Sequence, residues 1–65
     1  MINIYTDGGN FLDVRLQYDI MLDFMKNDFA EDSDFIEFEF QDGTKGTVRK
    51  RSIIGFCESE YAVED

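Results

Sequence analysis

Apolar and polar residues alternate along Ile2, Asn3, Ile4, Tyr5, Thr6, stop at Asp7-Gly8-Gly9-Asn10, and alternate again from Phe11 to Leu16. A two-residue period on both sides of a Gly-rich turn predicts a β-hairpin. Pairing Ile4 with Val14 sets Ile2 opposite Leu16 and places Leu12, Val14 and Leu16 on one face. The period then lengthens. Tyr18, Met21, Leu22 and Met25 recur at helical spacing over residues 18–27, with Ile20 and Phe24 widening the stripe. Asp19 in the first turn and Lys26 in the last carry the signs that suit the helix dipole. No Ser, Thr, Asp or Asn stands directly before Tyr18 to cap the helix.

An acidic loop follows, Asp28-Phe29-Ala30-Glu31-Asp32-Ser33-Asp34, in which Phe29 is expected to fold back on the helix stripe. Alternation returns at Phe35–Phe40, with Ile36, Phe38 and Phe40 inward and Glu37 and Glu39 outward. A second turn cluster, Asp42-Gly43-Thr44-Lys45-Gly46, leads to a return strand through Val48. Setting Phe40 opposite Val48 matches Glu39 with Arg49 and Glu37 with Arg51, and gives Gly46 a left-handed bulge position. Ile53, Ile54, Phe56 and Cys57 put apolar residues at both parities, so a last strand covered on both sides is expected, with Gly55 marking a bulge.

The order β-β-α-β-β-β predicts a small α+β fold. An antiparallel sheet is built from two hairpins and a C-terminal strand, with one helix packed on a face. Residues 1–58 form a single domain and residues 59–65 an acidic, frayed tail.

Composition sharpens this reading. With 43% hydrophobic residues and seven Phe, the chain is too apolar for a disordered acidic segment. At 65 residues it is small enough for dimerisation to help complete a core. The single cysteine, Cys57, cannot form an internal disulfide, and its apolar neighbours suggest a buried, inert thiol. One Cys and no His cannot assemble a zinc site. The chain does not open with a charged segment and an apolar run, and no stretch is long and apolar enough to span a bilayer. The expected location is cytoplasmic.

Chemistry is sparse. Glu37 and Glu39 have the residue types for acid–base work, but the simpler reading is a solvated face paired with Arg49 and Arg51. A calcium loop started at Asp32 fails, because Ile36, Glu37 and Gly43 occupy its fifth, sixth and twelfth positions. No catalytic residue, metal or cofactor is therefore assigned.

Charge gives the direction of interaction. Fifteen acidic residues against six basic ones leave a formal charge of −9. That sign repels nucleic-acid phosphates and anionic membranes and attracts basic protein surfaces. Arg49-Lys50-Arg51, the one basic cluster, is outweighed as a phosphate contact. Asp19, Asp23, Asp28, Glu31, Asp32 and Asp34 form the candidate partner-binding ridge. The expected function is a non-enzymatic inhibitor or adaptor that covers a basic surface, in some cases by imitating nucleic-acid phosphates. The competing role for the same charge is solubility. The alternative function is a structural or assembly protein in which an exposed strand such as Ile53–Cys57 pairs with its own copy, as a homodimer, or with a larger complex.

Overall fold

The computed structural model describes residues 1–29 and 31–60. Strands β1 (Ile2–Thr6) and β2 (Gly9–Val14) are followed by helix α1 (Tyr18–Lys26), β3 (Phe35–Glu39) and β4 (Lys45–Arg49). A 3-10 turn (Lys50–Ser52) then leads into β5 (Ile53–Glu58). The fold is the small antiparallel α+β unit that the patterning predicts. The strands divide into two sheets, β2-β1-β5 and β3-β4. A single bridge between Arg15 and Glu39, with the Arg15 N–H donating to the Glu39 carbonyl at 2.8 Å, joins the end of β2 to β3. No helix among the described residues is long and apolar enough to cross a membrane.

The first hairpin forms, in a different register from the one expected. Thr6 faces Gly9 across a two-residue turn, and Ile4 faces Phe11. Beyond Ile4 the register shifts, so that Ile2 meets Val14. Leu12 and Asp13 thus oppose the single residue Asn3, which is a β-bulge. Asp13 takes a positive φ of 55° and donates its N–H to the Asn3 side-chain oxygen at 2.8 Å. Asp tolerates this conformation better than most residues. The bulge turns Phe11 and Val14 to the core and leaves Leu12 exposed. The tight turn decides the register, and the bulge then brings Val14 over Ile2.

The second hairpin is also displaced from its expected register. Ile36 faces Val48, Phe38 faces Gly46, and Glu39 faces Lys45. The turn is Gln41-Asp42-Gly43. Phe40 N–H donates to the Thr44 carbonyl at 2.7 Å, and Gly43 N–H to the Phe40 carbonyl at 3.0 Å. Gly43, at φ 89°, fills the left-handed position expected of Gly46. Asp42 accepts both the hydroxyl and the N–H of Thr44, at 2.6 and 3.0 Å. These bonds fix the turn and hold the Asp42 carboxyl below its usual range, the hydroxyl contributing most. The expected Glu39–Arg49 and Glu37–Arg51 pairs are therefore not facing pairs. Instead Lys45 approaches Glu37 at 3.8 Å, both side chains exposed, a contact worth little.

The core is Ile2, Ile4, Val14, Met21, Phe38 and Val48, with Phe11, Tyr18, Phe24 and Phe56 packed against it. The Phe11 and Phe38 rings meet edge-on at 5.3 Å, and Tyr18 lies 5.2 Å from Phe56. Helix α1 contributes Met21 as its fully buried residue. It starts at Gln17 with no side-chain cap, as its sequence implies, and ends where Asn27 turns extended.

Two further expectations are corrected at β5. Ile54 is 75% exposed and Cys57 is exposed, so the strand is covered on one side only. The cause is the topology: pairing with β1 puts Cys57 on the sheet face shared with Asn3 and Tyr5, and that face is open. Gly55 does adjoin a register shift, at Ile54. Ser59 is tied down, its N–H donating to the Met1 carbonyl and its hydroxyl to the Asp13 carboxylate. The rest of the acidic tail, residues 61–65, lies outside the described residues.

Candidate protein-binding surface

Helix α1 ends at Asn27, whose side-chain oxygen accepts the N–H of Phe29 at 2.9 Å. This short turn directs the chain away from the helix axis. Phe29 is consequently 94% exposed, not folded on the helix stripe as its spacing from Met25 suggested. Further along, Asp34 N–H donates to the Glu31 carbonyl and Glu31 N–H to the Asp34 carboxylate, both at 2.9 Å. The acidic loop thus carries its own closed turn.

The back of that loop is fastened to the 3-10 turn. Lys50 N–H donates to the Asp34 carbonyl at 2.8 Å, and Arg51 N–H to the Asp32 carbonyl at 3.1 Å. The Lys50 ammonium reaches the Asn27 carbonyl at 3.1 Å. These bonds satisfy backbone groups and leave the acidic side chains outward. The Arg49-Lys50-Arg51 cluster serves as the loop's anchor and basic border rather than as a partner for Glu37 and Glu39.

All six ridge residues are exposed: Asp19, Asp23, Asp28, Glu31, Asp32 and Asp34. The fold brings Glu31, Asp32 and Asp34 together in one turn. Asp19 and Asp23 stand one helical turn apart on α1, and no hydrogen bond or ion pair among the described residues joins them to the loop. Asp34 gives one carboxylate oxygen to its own loop, so it is the least available of the six. Among the described residues no three acidic or thiol groups converge as a metal site requires.

The residues missed by sequence reasoning are aromatic. Phe35, 64% exposed, follows the loop in the chain as Phe29 precedes it, and faces Arg49 across the hairpin. Its parity with Glu37 and Glu39 was the available signal. Phe29 had a weaker one, the Asn27-Asp28 pair that breaks the helix before it. Together they give the acidic turn two uncovered apolar flanks.

The outer face of the β2-β1-β5 sheet holds a shallow hollow of about 620 Å³ lined in part by Tyr5, Leu12, Asp13 and Cys57. The Tyr5 hydroxyl and Cys57 sulfur lie 3.6 Å apart. This contact with the thiol raises the Tyr5 pKa above 10.0, so the phenol stays protonated at neutral pH. No family model matches the chain, and no curated protein or solved structure matches it either.

Proposed function

We propose that this chain is a protein-binding module that acts by covering a basic surface of its partner, as an inhibitor or adaptor, without catalysis. The observation that carries the reading is Phe29, 94% exposed beside the Glu31-Asp32-Asp34 turn. Burying such a side chain is worth about 1.5–3 kcal/mol. Aromatic anchors of this kind dominate interface energetics, while surrounding charge sets orientation and association rate. A partner with an apolar hollow rimmed by Lys and Arg has the matching chemistry. Phosphate-contact surfaces of nucleic-acid-binding proteins supply such a rim. In this reading Asp28, Glu31 and Asp32 make the main electrostatic contacts, Asp34 contributes its remaining oxygen, and Asp19 and Asp23 extend the field along α1. The module works in the cytoplasm, where Cys57 stays reduced.

The test is affinity capture with the tagged protein at low and high salt, alongside two variants. One reverses Asp28, Glu31 and Asp32 to Lys and spares Asp34, whose carboxylate closes the loop; the other is Phe29→Ser. Wild type should retain a basic protein at low salt and release it at high salt, because exposed charges are screened beyond about 8 Å at physiological ionic strength. Both variants should lose it while keeping the wild-type circular dichroism spectrum. Undiminished capture by the charge-reversed variant overturns the reading.

A further inference from the structure

Four strands, β2, β3, β4 and β5, leave a free side, and they are guarded unequally; β3 carries Glu37 and Glu39. Strand β2 carries the Asp13 bulge and is bridged to β3 at Arg15. Strand β4 begins at Lys45 and ends at Arg49, and edge charges of this kind discourage further pairing. Strand β5 has no charged residue from Ile53 to Cys57, and the chain has no proline at all. Its backbone is also presented outward. Ser59 N–H bonds to the Met1 carbonyl, which makes Asn3/Cys57 and Tyr5/Gly55 the hydrogen-bonded pairs of the β1–β5 ladder. Phe56 and Glu58 therefore turn their N–H and C=O groups away from β1.

The flanks of β5 say what covers it. The segment Arg49-Lys50-Arg51 precedes the strand, and Glu58-Ser59-Glu60 follows it. An antiparallel copy of the same strand sets the basic flank of each chain against the acidic flank of the other, at both ends. A parallel arrangement would set like charge against like. Centred on Phe56, this pairing joins the outward backbone groups of Phe56 to their own copies. Arg51 then comes beside Glu60 of the second copy, and Gly55 sits opposite its Cys57 on the outer face.

We infer that β5 is the interface of a two-fold symmetric homodimer, in which two copies join their sheets by antiparallel β5–β5 pairing. An isologous contact of this kind closes on itself and uses both copies of β5, and the joined sheet ends at the bulged β2 of each copy. The acidic loop takes no part in it, so the dimer presents two partner-binding surfaces.

Sedimentation velocity on the whole chain, across about two decades of concentration, reads the equilibrium directly. Wild type should pass from monomer to dimer. Ile54→Glu, at a residue 75% exposed and outside the core, sets a second carboxylate against Glu58 of the other copy and should remain monomeric with an unchanged circular dichroism spectrum. Arg51→Glu and Glu60→Arg should each shift the midpoint upward, and the double exchange should restore it.

Register is tested by Gly55→Cys, where an added Cβ meets nothing within 4 Å. Facing non-hydrogen-bonded residues have Cα atoms about 4.5 Å apart, within disulfide range. With oxidised glutathione this variant should give a covalent dimer in high yield, and Gly8→Cys at the distant turn should not. A monomer at every concentration, a dimer that survives Ile54→Glu, or equal cross-linking by both cysteine variants overturns the inference. Ile54→Glu leaves the acidic loop intact, so capture of a basic partner reports separately on that surface.

Discussion

At the scale of single residues, two glycines that look alike in sequence do opposite things. A Cβ on Gly46 would lie 2.8 Å from Cε1 of Phe38 and 3.2 Å from Cε2 of Phe40. The Phe38 ring cannot yield, because it is 3% exposed and wedged edge-on against Phe11 and Phe40. Gly46→Ala should therefore cost about 1–3 kcal/mol, the range for overpacking a filled core. Gly55→Ala meets open space and should stay within about 0.5 kcal/mol of wild type. Urea midpoints of the two variants at equal slope make the comparison. Equal midpoints would mean that the Phe38 ring is free to move. Nothing in the sequence separates these glycines, because each lies next to an apolar strand. The distinction arises only when Phe38 is placed across the hairpin from Gly46.

At the scale of elements, legibility depended on whether a signal was local. Every strand and the helix could be read from period and turn chemistry, and Asp42-Gly43 marks its turn plainly. Register could not be read. The choice between Gly43 and Gly46 rested on hydrogen bonds from Asp42 to Thr44 and on ring packing, neither of which alternation encodes. The Asp13 bulge was equally hidden, since Leu12, Val14 and Leu16 alternate without a break. The candidate site divided in the same way: six exposed acids were legible from charge, whereas Phe29 and Phe35 were not, because apolar residues are expected inside. The missing helix cap was legible, and it gives a prediction. Gln17 has extended backbone angles and an exposed side chain that makes no cap bond. Gln17→Ser should supply that bond and raise stability by about 0.5–1 kcal/mol, as Ncap serines do. Thermal unfolding read at 222 nm checks this, and an unchanged midpoint would mean that the helix start is held by packing of Tyr18 alone.

At the scale of the whole molecule, the formal charge of −9 is spread over a body of 34 × 22 × 18 Å. At 0.01 M salt the screening length is about 30 Å, so nearly every acid feels every other; at 1 M it is about 3 Å. The Lys45–Glu37 contact is long, at 3.8 Å, and exposed on both sides, so it offers little attraction for salt to weaken. Added salt should accordingly stabilise the fold. A gain of about 1 kcal/mol would raise the melting temperature by roughly 4–8 °C in a domain of this size. Reversing Asp28, Glu31 and Asp32 to Lys brings the charge from −9 to −3 and should remove much of that salt response. A melting temperature that falls with salt would show that the acids are engaged in stabilising pairs, and would weaken their assignment to a partner. The same variant then separates two demands on one surface. It should be the more stable protein at low salt and the one that no longer binds, since charge kept for a partner is tolerated by the free chain at a cost in stability.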